Sequence, residues 1–204
     1  MIAVVDYGAG NLRSVANALA KIGCDATVTR EPRDVLEAAV TVFPGVGAAP
    51  DTMRSLIQSG LGDAIRQLIS EDRPVLAICV GMQVLLSSTE EGGGHEGLGV
   101  IPGVVKRLPS GLKVPHMGWN QVVQTMKHPI FEGIPDGANF YFVHSYYPEP
   151  LDSAVIAGTT EYGVEICSVL VRGNLVATQF HPEKSGEIGL KLYSNFLRAA
   201  GVLS

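Results

Sequence analysis

A short apolar segment that ends at a cysteine constrains the fold of this chain more than any other feature. The branched residues from Val75 to Ile78 predict a buried strand. The strand stops at Cys79, and from Val80 to Leu86 the apolar residues follow a helical pattern. A side chain on such a strand-to-helix turn projects from the backbone near a helix N-terminus, which favours thiolate over thiol. Cys79 is a candidate nucleophile, although an isolated cysteine can also be a small buried hydrophobic residue.

Strands and helices alternate through the first part of the chain. Apolar runs predict strands at Ile2–Val5, 24–29 and 40–43. Helical spacing predicts helices from Leu12 to Ile22, over 32–39 and over 50–71, the last with a break at Gly60 and Gly62. Such alternation is typical of a parallel sheet covered by helices on both faces. In these sheets the chemistry gathers at the carboxyl ends of the strands, where Cys79 lies.

The second part of the chain has a different pattern. Strand-like runs follow one another at 104–108, 121–125, 139–143, 154–160, 166–172 and 175–179. Gly173 and Asn174 form a two-residue hairpin turn, and a closing helix covers 187–200. We therefore predict an α/β fold: a flavodoxin-like open, largely parallel sheet with an antiparallel strand extension. No long linker divides the chain, so 1–204 is predicted to be one domain.

Composition excludes several classes of function. The chain has 204 residues, 46% of them hydrophobic, with 15 basic and 20 acidic side chains and a net charge of −5. A general nucleic-acid-binding surface would need a basic face. No apolar run is long enough for a membrane span or a signal peptide. Three widely spaced cysteines argue against a disulfide framework. We expect a cytoplasmic protein that needs no nucleic acid and no membrane.

A glycine-rich turn follows the first strand. The segment Asp6-Tyr-Gly8-Ala-Gly10-Asn11-Leu-Arg13 has two glycines of a dinucleotide fingerprint, but Arg13 stands where the third belongs. Ordinary strand-to-helix turns also use glycine, so an ordinary turn is favoured over a cofactor site. Asn11 can cap the helix that follows.

The strand that ends near Phe180 leads into a candidate general base. Pro182 disfavours helical geometry for His181 and holds it extended at the strand end. Glu183, two residues on, can turn its carboxylate back to the imidazole. Histidine with a carboxylate partner is the general-base half of a nucleophilic triad, and Cys79 would be the other half.

Acyl transfer also needs hydrogen-bond donors for a tetrahedral oxyanion. The amide of Val80, just past the nucleophile, is one candidate. The Pro44-Gly-Val46-Gly47 loop, at a neighbouring strand end, is the best source of the second. Composition alone would make this loop a plain turn.

These motifs resemble those of the class I (triad-type) glutamine amidotransferases. Ala-Ile-Cys79-Val-Gly-Met-Gln83 is similar to the family's nucleophile segment G-x-C-x-G-x-Q. Gln-Phe-His181-Pro-Glu183 resembles its closing motif, and Pro-Gly-Val-Gly47 its oxyanion strand. The resemblance covers essentially the whole chain. One departure is Ala77, which occupies the position of the family's first glycine.

Three further segments resemble one branch of the family, the amidotransferase subunits of imidazole glycerol phosphate synthases. They are Asp6 to Arg13, Pro115-His-Met-Gly-Trp119-Asn120 and Tyr141-Phe-Val-His144-Ser-Tyr146. The resemblance implies a (β/α)8-barrel cyclase subunit as partner in a heterodimer, to which ammonia passes internally. It further implies that the complex makes imidazole glycerol phosphate and an aminoimidazole carboxamide ribotide. The residues expected at the docking face are Asn11, His116, Trp119 and Asn120.

The resemblance implies hydrolysis of L-glutamine to glutamate and ammonia through a thioester on Cys79. His181 would act first as base and then as acid, with Glu183 orienting it. The residues implied to hold glutamine are Gln83, Gly47, Ser145 and Tyr146, and those of the oxyanion hole are Val46, Gly47 and Val80. No cofactor and no metal are implied.

Three alternatives stay open at this point. The chain could be another class I amidotransferase subunit, of the pyridoxal-phosphate synthase or anthranilate synthase type. It could be a free-standing cysteine hydrolase that needs no partner. It could also be a flavodoxin-like binding module in which Cys79 is inert.

Overall fold

A nine-stranded mixed sheet runs through both halves of the chain in the computed structural model, which describes residues 1–8 and 11–203. A four-stranded sheet packs beside it. The strands are β1 (Ile2–Val5), β2 (Ala26–Thr29), β3 (Val40–Gly45), β4 (Val75–Cys79), β5 (Leu86–Thr89), β6 (His95–Glu96), β7 (Ile101–Arg107), β8 (His116–Gln124), β9 (Ala138–His144), β10 (Tyr146–Pro150), β11 (Ile156–Glu161), β12 (Glu165–Arg172) and β13 (Leu175–Thr178).

Helices cover both faces of the large sheet. They are α1 (Leu12–Lys21), α2 (Pro32–Glu37), α3 (Ala49–Ser59), α4 (Leu61–Ser70), α5 (Val80–Gln83) and α6 (Gly186–Ala199). α1 packs with α6, whereas α4 packs with α2 and α3. Right-handed crossovers place these two groups on opposite faces, because the chain steps from β1 outward to β2 and then back past β1 to β3. Of the helices in the described ranges, none has the length and apolar character to cross a membrane.

The parallel half of the large sheet has the order β2-β1-β3-β4-β13, and all its neighbours pair in parallel. β12, β11, β8 and β9 continue it as antiparallel neighbours. The Gly173–Asn174 turn joins β12 to β13 as predicted. The predicted α/β fold with an antiparallel extension is therefore confirmed. The wholly buried strands β1, β3, β4 and β13 explain the continuous apolar runs in the sequence.

The four-stranded sheet, of order β10-β7-β5-β6, was not predicted as a unit. The helix expected from Val80 to Leu86 ends at Gln83, and Leu86 begins a strand instead. Leu85 and Leu86 are fully buried, and burial alone does not distinguish a helix from a strand in so short a run. The segment 90–99, for which the sequence indicated no strand, contributes the short strand His95–Glu96.

Two boundaries bear on the site. β3 runs on through Pro44 to Gly45, which pairs with Cys79 across the β3–β4 ladder. β8 begins at His116, earlier than the predicted start at Gln121, so most of the Pro115–Asn120 segment lies in a strand. The predicted break in the long helical region is confirmed, because Gly60 has a φ of 74° between α3 and α4.

Candidate active site

Cys79 lies on a strained turn between β4 and α5. Its φ of 54° and ψ of −110° are unfavourable for a residue with a side chain. Two glycines allow the close approach that this turn requires. A Cβ on Gly45 would come within 2.3 Å of the Gly81 nitrogen, and a Cβ on Gly81 within 2.4 Å of the Phe43 oxygen. Gly45 is therefore needed for packing against the elbow rather than for loop freedom.

His181 and Glu183 form the predicted pair at the end of β13. His181 has an extended backbone, with φ −103° and ψ 98°, and Pro182 begins a short 3-10 turn. The turn brings Glu183 Oε1 to 2.7 Å from His181 Nδ1. Ser185 secures the turn, because its hydroxyl donates to the His181 carbonyl at 2.7 Å and accepts from the Tyr141 amide.

Electrostatics keep a proton on His181. Burial disfavours its charged form, but the Cys79 thiol and the Glu183 carboxylate outweigh burial and raise the pKa of His181 from 6.5 to about 10. Since Nδ1 is bound to Glu183, the nitrogen available to a reacting group is Nε2. That atom is buried and has no hydrogen-bond partner among the described residues.

The thiol of Cys79 makes two polar contacts within the described residues. Gln179 Nε2 donates to Cys79 Sγ at 3.6 Å, and Sγ lies 3.9 Å from the carbonyl oxygen of Val143. The other two cysteines are buried and free. Burial raises the pKa of Cys167 to about 12, which keeps it a thiol.

A cavity of about 350 Å³ opens over the nucleophile. Its volume suits a small polar molecule of amino-acid size. The described residues that line it are Val46, Gly47, Cys79, Val80, Gln83, Glu91, Pro115, Val143, His144, Ser145, Tyr146, His181 and Lys184. The nucleophile, the histidine that Glu183 orients, and the residues of the predicted oxyanion hole therefore line one cavity.

The family model "Glutamine amidotransferase class-I" matches residues 3–200. The chain is 58% identical to the "Imidazole glycerol phosphate synthase subunit HisH" of Dehalococcoides mccartyi over 200 residues, 98% of each chain. It is 54% identical to the HisH subunit of Geobacter sulfurreducens over 202 residues, 96% of this chain and 97% of that one. The chain belongs to the HisH family of class I glutamine amidotransferases.

Solved structures support the same fold for this HisH family member. A crystal structure of a glutamine amidotransferase superposes with a TM-score of 0.78 at 21% identity, covering 98% of this chain and 99% of the other. The structure of PurLQS from Thermotoga maritima gives a TM-score of 0.75 at 18% identity, covering 97% of each. At these identities the likeness concerns the fold.

The predicted substrate and oxyanion residues of the HisH family member all line the cavity. Val46, Gly47 and Val80 lie beside Cys79, and Gly47 has a φ of 100°. Gln83, Ser145 and Tyr146 form part of the remaining wall. The departure at Ala77 falls within β4, where Ala77 is fully buried and pairs with Phe43 and Ala177. Its methyl group is part of the sheet core.

The predicted docking residues of this HisH family member do not share one environment. Trp119 is 58% exposed on β8. His116 is 4% exposed and lies inside, which corrects its expected place on the surface. Asn120 bonds to His116 and to the Glu161 carbonyl, and the Asn11 side chain donates to Glu183 instead of capping α1. Of the 6–13 segment, Ala9 and Gly10 lie outside the described residues.

Sequence reasoning gave no role to two polar residues of the site. Gln179 accepts from Gln83 Nε2 at 2.9 Å and donates to the thiol, so it joins the helix after the elbow to β13. His144 lines the cavity and bonds to the Tyr146 carbonyl at 2.8 Å. Both belong to motifs that the sequence presents, but their partners come from other strands.

Proposed function

We infer that this chain is the glutaminase subunit of an imidazole glycerol phosphate synthase in histidine biosynthesis. It hydrolyses L-glutamine to glutamate and ammonia. The observation that carries this inference is that Cys79, on its strained elbow, lines one cavity with His181, whose Nδ1 is bound by the Glu183 carboxylate behind it. Because the cysteines are free and buried, we expect it to act in the reducing cytoplasm.

In the first step, the Cys79 thiolate attacks the side-chain amide carbon of glutamine. A carbon–sulfur bond forms, and the carbonyl electron pair moves to oxygen. The Val80 amide, with the Val46 or Gly47 amide, stabilises this oxyanion. The oxyanion collapses, and the carbon–nitrogen bond breaks as His181 gives its proton to the departing amine. Ammonia and a γ-glutamyl thioester result. The raised pKa of His181 means that the required proton is present at neutral pH. In this mechanism His181 therefore acts first as acid and then as base, the reverse of the order that the resemblance implied.

In the second step, neutral His181 takes a proton from water at Nε2. The hydroxide oxygen bonds to the thioester carbon, and the carbon–sulfur bond then breaks to release glutamate and the Cys79 thiolate. Glu183 holds Nδ1 throughout and stabilises the imidazolium each time it forms. Glutamine and water are thus converted to glutamate and ammonia, and the site returns to its starting protonation.

The walls of the cavity suit the rest of the glutamine molecule. Glu91 and Lys184 carry opposite charges on the more exposed side of the lining. We assign Glu91 to the α-ammonium group and Lys184 to the α-carboxylate of glutamine. Gln83, Ser145 and Tyr146 then flank the side chain, whose amide points to Cys79.

The ammonia acceptor is proposed to be a (β/α)8-barrel cyclase subunit in a heterodimer. It would use ammonia to make imidazole glycerol phosphate and an aminoimidazole carboxamide ribotide. The outward face of β8 supports a docking site, because Met117, Trp119 and Val123 are 60%, 58% and 50% exposed at alternating positions. Large apolar side chains grouped on one face mark an interaction surface.

Replacement of the nucleophile tests this function. Cys79→Ser should abolish glutamine-dependent synthesis and thioester formation, whereas synthesis from added ammonia by the cyclase subunit should persist. Cys24→Ser is the matched control, since Cys24 lies outside the site, and it should keep both activities. Glutamine turnover by Cys79→Ser would exclude the triad mechanism.

A further inference from the structure

Two buried histidines lie opposite each other on neighbouring strands beside the cavity. His116 on β8 pairs with His144 on β9, and the two side chains are 4% and 6% exposed. His116 Nδ1 lies 2.9 Å from His144 Nε2. The catalytic steps above use neither residue.

The direction of the hydrogen bonds follows from a backbone carbonyl. His144 Nδ1 is 2.8 Å from the Tyr146 oxygen, which can only accept, so Nδ1 carries the hydrogen. Burial lowers the pKa of His144 to about 3, with smaller effects of the neighbouring His116 and His181 side chains and despite the bond to Tyr146. His144 is therefore neutral, its Nε2 accepts, and His116 Nδ1 must donate to it.

The inner end of this series of hydrogen bonds reaches the cavity wall that flanks the proposed glutamine site. The Tyr146 carbonyl that accepts from His144 also accepts from Gln83 Nε2 at 2.8 Å. Gln83 Nε2 in turn donates to Gln179, which contacts the Cys79 thiol. The position of the Tyr146 peptide therefore sets the position of the Gln83 amide.

The outer end lies under the exposed face of β8. Neutral His116 has its hydrogen on Nδ1, so Nε2 accepts, and Asn120 Nδ2 lies 3.3 Å from it. Asn120 and His116 share the inner side of β8, whereas Trp119 projects from the opposite side. A partner that moves β8 through Trp119 also moves His116.

We propose that His116 and His144 are positioning residues for glutamine binding. Their hydrogen bonds form a relay in which each histidine donates towards the Tyr146 carbonyl. This relay holds the Tyr146 carbonyl, and through it the Gln83 side chain, at a fixed position relative to β8. The proposal rests on the glutaminase function argued above. It assigns the two histidines to binding of the substrate, not to bond breaking.

Two substitutions at one position separate the relay from simple packing. His116→Phe keeps an aromatic ring stacked on Phe142 and Tyr162, whose ring centroids lie 4.9 and 3.9 Å from that of His116, but it removes the donor. His116→Asn loses the ring but keeps a donor. The asparagine Nδ2, like Nδ1 of histidine, is bonded to Cγ and carries hydrogen. With the cyclase subunit present, the relay predicts a KM for glutamine about tenfold higher in His116→Phe, the effect of one buried hydrogen bond. His116→Asn should recover most of that loss, and kcat should change little in either.

If only ring packing mattered, the KM for glutamine would be higher in His116→Asn than in His116→Phe. That order, or equal KM values in the two variants, would overturn the relay. Tyr162→Phe is the control, since it keeps the stack and loses only the hydroxyl bond to the Lys113 carbonyl. Its KM should match that of the wild type.

Nitrogen-15 NMR of the histidines tests the relay without an activity measurement, because it reports the tautomer of each imidazole. The expected result is a neutral Nδ1–H tautomer for both His116 and His144. An Nε2–H tautomer of His144 would overturn the proposal. A wild-type complex that does not hydrolyse glutamine would instead refute the glutaminase function, and the NMR result would still decide the relay.

Discussion

The Asn11 side chain donates a hydrogen bond to Glu183 Oε1, the carboxylate oxygen that also accepts from His181 Nδ1. Asn11 and Glu183 are 172 positions apart in the chain. Asn11 stands at the start of α1 with a φ of 74°, so the turn after β1 aims its amide at the end of β13. The orienting carboxylate is thus itself oriented from the first strand-to-helix turn.

Removal of this donor should slow catalysis. Asn11→Ala leaves Glu183 without one of the two partners that the described residues provide, and a hydrogen bond to a charged group contributes about 1.5–3 kcal/mol. We expect kcat for glutamine to fall about tenfold or more and KM to change less. Steady-state kinetics of the complex measure both values.

Glu183→Gln provides the comparison, because it removes the charge itself and should cost up to about 10⁴-fold in kcat. Synthesis from added ammonia should be normal in both variants. An Asn11→Ala complex with unaltered kcat would show that the Asn11–Glu183 bond does not matter for catalysis.

The charge state of His181 predicts a pH-dependent stability. Burial lowers its pKa, but Cys79 and Glu183 outweigh burial and raise it from 6.5 to about 10. The folded protein then binds this proton more tightly than the unfolded chain. The resulting stabilisation is complete below about pH 6.5 and is lost as the pH rises through about 10.

Urea unfolding of wild type and His181→Gln across this range measures the effect. The difference in unfolding free energy should shrink as the pH rises, whereas a constant difference would contradict the raised pKa. In Cys79→Ala, which removes the largest upward influence, NMR titration should give a lower His181 pKa than in the wild type.

Gly47 should control activation by the partner. Its φ of 100° allows the Val46–Gly47 peptide to rotate, and a residue with a Cβ would be strained there by roughly 1–3 kcal/mol. If the Val46 amide points away from the cavity at rest, the oxyanion lacks one donor. This loss raises the barrier to glutamine hydrolysis by about 2.7–4 kcal/mol. Docking of the cyclase subunit, with its own ligand bound, should then raise glutaminase turnover about a hundredfold or more.

Gly47→Ala should blunt this rise more than it alters glutamine affinity, as measured by turnover against cyclase-ligand concentration. Gly201→Ala is the control, because Gly201 also has a positive φ, of 70°, with no neighbour in the way of a Cβ. An isolated wild-type chain that already runs at full rate would exclude the switch.

Trp119 should contribute strongly to the affinity of the complex. It is 58% exposed on β8, and its ring contacts Tyr141 edge-on at 6.0 Å between centroids. An interface hot spot contributes about 2 kcal/mol or more, so Trp119→Ala should weaken binding of the cyclase subunit roughly thirtyfold. Titration calorimetry measures this affinity. Val28→Ala, on the exposed edge strand β2, should bind normally, and equal affinities for the two variants would place the docking surface elsewhere.

Local patterns predicted much of the fold. The continuous apolar runs of β1, β3, β4 and β13 predicted a buried parallel sheet, because such strands must be apolar on both faces. The pair His181 and Glu183 was predictable for a similar reason, since a proline turn brings together two residues that are only two positions apart. Cys79 was a candidate nucleophile because the hydrophobic pattern changes from strand to helix at the end of β4.

Patterns failed where several structures bury the same residues equally well. Leu86 fits a helix or a strand, and only pairing of β5 with β6 and β7 selects the strand. Trp119 and His116 lie in one motif, yet the pleat of β8 sends one outward and the other inward, and the register of β8 with β9 decides which.

The sequence by itself determined most elements of the large sheet, their order, and which residues carry reactive groups, because hydrophobic periodicity and turn chemistry act over short distances along the chain. Only the tertiary structure decided the partners of the polar groups. Asn11 reaches Glu183, Gln179 reaches Cys79, and His116 reaches His144 across strands that are distant in sequence. A hydrogen bond requires its two atoms to lie within about 3 Å, or somewhat more for sulfur, and for residues so far apart only the assembled sheet sets that distance.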